Sequence, residues 1–328
     1  MTVPAVPDLE RLAGVAALER PAQAKRMLVI VNPYATTMTD RIKDLVVYAL
    51  QGRYDVQAID TQHRGHATEL ITAAIGEAFD VVVAFGGDGT VNEIANGLAG
   101  TDTPLTILPG GSYNVFAKML GIPNDVVDAT EHMLGLADRW APRRVDLGLL
   151  NGRRFTFAAG VGLDASVVER VDRHPHLKAR WGAWYYTEAA IVTFLRHYVA
   201  NPPRLELETG GKRLRGVSAF FQNGVPYTYF KSRPVNLVDG ASLESGDLAG
   251  VLLTRARPYD VPTVTFRALS GAARIAKHRG IATLSGITEA TIRSVDGRPV
   301  PLQVDGDHIS DETVAELGVE PGGLHVVC

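Results

Sequence analysis

FDVVVAFGGDGT, residues Phe79 to Thr90, is the stretch that leaves this chain the fewest ways to fold. Val81, Val82, Val83, Ala84 and Phe85 form an unbroken apolar run, short and rich in β-branched residues, which reads as a strand buried in a parallel sheet. Gly86, Gly87 and Gly89 then surround one carboxylate, Asp88, so the backbone can turn tightly and approach a ligand where a Cβ would collide. Val91, Ile94, Ala95, Leu98 and Ala99 recur at helical spacing, and Thr90 with Glu93 reads as a capping box that starts the helix. Strand, glycine turn and helix start together make a phosphate cradle, because backbone N–H groups and the positive end of the helix dipole meet at one spot. A glycine turn in an ordinary αβ unit looks similar. The carboxylate inside the cradle separates the two readings, since it repels a bare phosphate unless a cation or reacting group lies between them. That points to a metal-nucleotide site.

The chain on either side continues the alternation. Met27 to Val31 reads as a first buried strand, followed by Asn32-Pro33, a polar turn and a helix over about 41–51. Val56 to Ile59 is a second strand, 61–66 a loop and 67–77 a helix, an order that implies a parallel sheet with right-handed crossovers. His63 and His66 in that loop read as solvated. Thr106 to Leu108 is the next strand, and Gly110-Gly111-Ser112-Tyr113-Asn114 is a second glycine turn, feeding a short helix that stops at Gly121 and Pro123. Two such turns at one edge of a sheet can hold a triphosphate from both sides. After Arg143-Arg144-Val145-Asp146 the pattern changes to short strands at 147–150, 154–158, 205–208, 216–221, 248–254 and 291–294. With the turn signals Asn151-Gly152, Gly210-Gly211 and Asp296-Gly297, these suggest an antiparallel β-sandwich. Residues 8–20 fit a surface helix or a loose tail that Pro21 ends.

A chain of 328 residues exceeds what one core usually organises, so two domains are expected. A formal net charge of −3 argues against a nucleic-acid binder. The single cysteine, Cys328, leaves no disulfide framework and suits a reducing cytoplasm. Asp8, Glu10, Arg11 and Glu19 interrupt any secretory signal, and Glu188 and Arg196 break the longest apolar stretch, 183–199, so no membrane span is expected.

GGDGTVNEIANGL at 86–98 and ILPGGSYNVFAKMLGIP at 107–123 resemble the catalytic domain of the diacylglycerol kinase family, which includes bacterial lipid kinases and sphingosine kinases and is related to NAD kinase and phosphofructokinase. Weaker matches run from Asn32-Pro33 to near the C-terminus. The resemblance implies an N-terminal Rossmann-like parallel α/β nucleotide-binding domain at 27–145 after an extension at 1–26. It also implies a C-terminal antiparallel β-sandwich lipid-substrate domain at 146–310, and a last segment, 311–328, that returns to the N-terminal domain. It implies ATP and Mg as cofactors, with Asn32, Thr61, Gly86, Gly87, Asp88, Gly89, Thr90, Glu93, Gly111, Ser112 and Asn114 at the nucleotide and Asp88 acting through the metal. Asp305 of the Asp305-Gly306-Asp307 turn stands where the family has its general base, and Asp307 is one methylene shorter than the glutamate found there. Glu244 and Asp247 lie in a segment that holds a structural magnesium in bacterial members. The chain departs from the family at Tyr34-Ala35-Thr36-Thr37, at Val115 in place of a carboxylate, and at Glu244-Ser245 in place of paired aspartates.

The activity expected from the resemblance is ATP-dependent phosphorylation of a hydroxyl on diacylglycerol or a related lipid alcohol. The alternatives are a soluble-substrate kinase of the NAD kinase kind, and a nucleotide- or lipid-binding protein with weak or no turnover. No G-x-x-x-x-G-K-[ST] loop and no H-R-D or D-F-G set is present. The cationic, aromatic run from His174 to Tyr186 suggests peripheral contact with the inner face of a membrane, and an exposed edge strand in the second domain could pair two copies.

Overall fold

The computed structural model describes residues 24–136, 140–163, 165–167, 189, 192, 193, 202–230, 233–260, 263, 267 and 274–328. The expected helix at 8–20 and the run at 174–186 lie outside them. The chain divides into two compact units, Met1–Val145 with Gly322–Cys328, and Asp146–Pro321.

The first unit is built on four parallel strands, β1 (Arg26–Val31), β2 (Asp55–Asp60), β3 (Val81–Gly86) and β4 (Leu105–Pro109), in the order β2-β1-β3-β4. Every residue of β3 is buried, as its uninterrupted apolar run requires of a strand covered on both faces. Helices α1 (Asp40–Gln51), α2 (His66–Ala74), α3 (Asp88–Leu98), α4 (Val115–Met119) and α5 (Val126–Leu136) complete it. Thr39 caps α1, its hydroxyl accepting from the Ile42 N–H at 3.2 Å. The chain leaves β1 toward β2 on one side and β3 toward β4 on the other. The loops after β1 and β3 therefore diverge, and an open sheet has its binding crevice at such a point.

The capping box expected at Thr90 and Glu93 does not form. Helix α3 starts three residues earlier, at Asp88, with Gly87 as its N-cap and no side chain on the cap position. The Glu93 carboxylate turns instead to the start of α2, whose N-cap Gly65 offers no side chain, and accepts from Gly65 N at 2.7 Å and Ala67 N at 3.2 Å. Thr68 returns the contact by donating its hydroxyl to the Glu93 carbonyl at 2.7 Å. An anion at a helix start is favoured by both the N–H groups and the dipole, so Glu93 locks α2 to α3.

The second unit has two antiparallel sheets. One contains β7 (Ala158–Val161), β10 (Ser218–Gln222), β13 (Leu248–Leu253), β14 (Ile281–Ile287), β16 (Val300–Val304) and β17 (Asp307–Glu312), in the order β14-β13-β10-β7-β16-β17. In the other, β8 (Leu205–Thr209) pairs with β9 (Lys212–Gly216) and β15 (Glu289–Ser294), and β15 pairs with β18 (Val314–Val326). Strand β5 (Arg143–Leu150) pairs with β6 (Arg153–Phe155) beside it. Phe155, Leu205, Leu207, Phe221, Leu252, Leu302 and Val304 share one buried cluster, drawn from both sheets, so the sandwich expected from the short strands is the fold found. Asn151-Gly152 and Gly210-Gly211 make the two-residue turns that their positive φ values (49°, 77°, 53° and 73°) allow. The first part of β18 pairs with β15, while Val326 pairs with Leu105 of β4, so the strand passes out of the second unit and ends in the first. No helix of the described residues is long and apolar enough to cross a membrane.

Removing the Glu93 carboxylate strips the start of α2 of the side chain that caps it. Glu93→Ala is expected to lower stability by about 1–2 kcal/mol and to speed exchange of the Gly65 and Ala67 amide protons. Unchanged protection of those two amides in native-state hydrogen exchange would contradict it.

Candidate active site

Asn32, Thr61, Gly87 and Gly110 follow β1, β2, β3 and β4 in turn, so all four stand at the C-terminal edge of the parallel sheet. The two glycine turns meet there backbone to backbone. Gly110 donates its N–H to the Gly86 carbonyl at 2.8 Å. A Cβ on Gly111 would lie 2.7 Å from the Cα of Gly87, and one on Gly110 would lie 3.2 Å from the Cα of Gly86. A Cβ on Gly86 would meet the Thr90 hydroxyl oxygen at 2.6 Å. None of these four glycines has a left-handed φ. The turns need glycine for space, not for backbone conformation, a correction to the tight-turn reading.

Side chains fix the two turns in place. Asn32 donates through Nδ2 to the Thr90 hydroxyl at 3.1 Å and accepts through Oδ1 from Tyr34 N at 3.0 Å. Thr37 donates both its N–H, at 3.0 Å, and its hydroxyl, at 2.9 Å, to the Gly110 carbonyl. Asn114 holds φ at +48° and closes the second turn on itself, its Oδ1 accepting from Gly111 N and its Nδ2 donating to Gly111 O, both at 2.9 Å. Ser112 and Thr36 share a hydroxyl contact of 3.1 Å. Thr61 is 8% exposed and donates its N–H to the Val31 carbonyl at 2.8 Å.

The half-buried Asp88 opens α3, and its Oδ1 accepts from Phe116 N of α4 at 3.3 Å, tying the first turn to the helix after the second. Near it is a residue the motif reading did not single out. Lys118 is half-buried in the last turn of α4, and its ammonium donates to the Tyr113 carbonyl. Burial pulls its pKa below the usual lysine value while Asp88 pulls it back up. The signal available in the sequence was a lone cation one helical turn beyond Asn114.

The structure thus brings Asn32, Gly86, Gly87, Asp88, Thr90, Gly111 and Asn114 together, with Ser112 on Thr36 beside the second turn. Gly89 lies in the first turn of α3. Glu93 is not in the cradle, since both its oxygens serve α2. His63 and His66 stack with ring centroids 4.8 Å apart, and Glu69 stands 3.8 Å from His63 Nε2. His66 Nδ1 accepts from Gln62 N at 3.0 Å, so the pair serves the loop that leads to α2.

In the second unit, Asp305 and Gly306 form the two-residue turn between β16 and β17, with φ of 49° and 83°. The Asp305 carboxylate is 6% exposed and takes four donors. Oδ2 accepts from Thr156 N at 2.7 Å and from the Thr156 hydroxyl at 2.8 Å, while Oδ1 accepts from Phe157 N and Ala158 N, each at 3.0 Å. A carboxylate has about four lone-pair sites, so as found Asp305, where the resemblance places the general base, is engaged by donors that hold the turn. Asp307 follows at the start of β17, half-buried.

The segment at Glu244 and Asp247 also closes on itself. Ser245 donates to Asp247 Oδ1 at 2.7 Å, and Gly246 N donates to the buried Asp146 at 2.6 Å. Among the described residues, no group of three His, Cys, Asp or Glu side chains includes Glu244 or Asp247.

A family model for the diacylglycerol kinase catalytic domain matches residues 26–148, the stretch that carries the cradle. The chain is 31% identical to the diacylglycerol kinase of Bacillus subtilis (strain 168) over 257 residues, 75% of this chain and 80% of that one. It is 33% identical to a diacylglycerol kinase of Staphylococcus aureus (strain JH9) over 141 residues, 42% of this chain and 44% of that one. The fold is similar to that of a candidate diacylglycerol kinase from Bacillus anthracis str. Sterne, with a TM-score of 0.73 and 20% identity over 94% of this chain and 98% of that one. Parallel α/β unit, antiparallel sandwich and doubled glycine turn are therefore those of a lipid kinase. The chain belongs to the diacylglycerol kinase family.

Two substitutions test the geometry. In Gly111→Ala the new methyl meets backbone, which cannot swing away, so the turns must part. About 1–3 kcal/mol is expected to be lost in stability. A melting temperature equal to wild type would mean that the contact between turns is dispensable. Asp305→Asn sets an amide NH₂ against N–H donors and is expected to cost roughly 3 kcal/mol or more. A melting temperature equal to wild type, with turnover alone lost, would mean that these four hydrogen bonds do not carry the stability of the turn.

Proposed function

We propose that this protein uses ATP and Mg²⁺ to phosphorylate a hydroxyl of diacylglycerol or a related lipid alcohol. The observation that carries the reading is the contact of two glycine turns at the sheet edge, with Asp88 at the start of α3 and Lys118 nearby. The first-turn N–H groups of α3 precede its first intrahelical bond, from Val91 N to Gly87 O at 3.1 Å, and lie at the positive end of the helix dipole. They suit phosphate oxygens, and Lys118 adds a cation. Asp88 fits Mg²⁺, which takes one or two carboxylates and leaves its other positions to water and phosphate. The ion when bound neutralises charge on the β- and γ-phosphates.

In the reaction the lipid hydroxyl oxygen bonds the γ-phosphorus, the bond from that phosphorus to the bridging oxygen breaks, and ADP leaves. The hydroxyl proton passes to a carboxylate.

Transfer of label from ATP to dispersed diacylglycerol, measured beside a panel of lipid alcohols and NAD, tests the proposal. Asp88→Ala is expected to lose at least 10²-fold in kcat, the scale of removing a positioned catalytic group, and about 1–2 kcal/mol of stability with the Phe116 hydrogen bond. Full activity in that variant, or transfer to NAD in place of lipid, would overturn it.

A further inference from the structure

Between β13 and β14 runs TRARPYDVPTVTFRALSGAARIAKHRG, residues 254–280, in which every charged side chain except Asp260 is Arg or Lys. The whole chain carries −3, so this segment reverses the sign locally.

The fold gathers both ends of the segment around that one acid. Asp260 is 3% exposed; Arg255 Nε lies 3.6 Å from its Oδ2, and Arg279 Nη2 lies 3.6 Å from its Oδ1. His278 Nε2 is also 3.6 Å from Oδ1. Burial holds the His278 imidazole below its ordinary value, against the pull of Asp260. Its Nδ1 accepts from Gly280 N at 3.1 Å, so the ring is neutral and the charge of the face comes from arginine and lysine.

One carboxylate does not balance these cations. Arg257 and Arg279 both set their guanidinium groups over the ring of Tyr259, at 5.7 and 5.4 Å from its centroid, and that ring is 53% exposed. Arg257 and Arg279 are themselves exposed, and so is Lys277, two residues before Arg279 in the chain. Like charges held on one face repel, a cost that a partner of opposite sign removes.

We infer that the face formed by Arg257, Tyr259, Lys277 and Arg279 docks the protein on an anionic phospholipid bilayer. A tyrosine ring suits the headgroup layer, apolar on its faces and polar at its tip. Lys and Arg near an anionic leaflet each add attraction that salt screens. The choice of a bilayer over another polyanion rests on the lipid-kinase reading. None of these four residues belongs to the sequence run at 174–186.

The experiment is co-sedimentation of the full chain with phosphatidylcholine vesicles that contain or lack phosphatidylglycerol. Binding is expected only to the anionic vesicles and is expected to fall with salt. Arg257→Gln with Lys277→Gln removes two exposed cations, neither of them paired with Asp260, and should weaken binding about thirtyfold with melting unchanged. Equal binding by this variant, binding indifferent to phosphatidylglycerol, or tighter binding to a DNA duplex than to vesicles would overturn the inference. Phosphoryl transfer to diacylglycerol in neutral detergent micelles should be the same for wild type and variant. Its absence in both would sink the kinase reading while leaving the vesicle result to judge the docking face.

Discussion

Contact between two backbones, with no side chain between them, is the constraint on which the first unit depends. Gly87 and Gly111 approach so closely that a methyl on Gly111 would sit 2.7 Å from the opposite Cα. Asp88 reaches Phe116 because the loops after β3 and β4 lie against each other, while Thr37 and Asn32 tie the chain after β1 to Gly110 and Thr90. At this point backbone meets backbone, and there is no side-chain rotamer between the turns that could give way.

The acids of this protein do much of the same work elsewhere. Glu93 joins two helices through N–H groups, Asp305 gathers three successive amides and a hydroxyl, Asp146 takes Gly246, and Asp260 gathers arginines. A buried carboxylate is costly unless donors surround it, and once surrounded it fixes every segment that supplies one. In the second unit this logic binds the β16–β17 turn to the chain just before β7.

What could be read beforehand follows the reach of each interaction. Strand β3 and both glycine turns were legible because their signals lie within a few consecutive residues. The spacing of Thr90 and Glu93 matched a local cap, but the donors that won Glu93 lie on a different helix, 28 and 26 residues away. The four donors on Asp305 lie 147 to 149 residues earlier in the chain, so nothing near the Asp-Gly pair announced them. Strands β14 and β17 escaped notice for another reason: β14 buries only two of its seven residues and β17 none, so neither carries clean alternation. Lys118 looked like any helix-surface lysine until its burial was known.

The last strand has a consequence for the order of events during synthesis. Residues 322–328 belong to the first unit, and His325 meets the Thr101 carbonyl across 224 residues of sequence. On the ribosome, β1 to β4 can emerge and pair early, yet the free side of β4 waits for a partner until the whole second unit has been translated. That edge is the segment most open to mispairing with another nascent chain, and closing it is a slow step of high contact order.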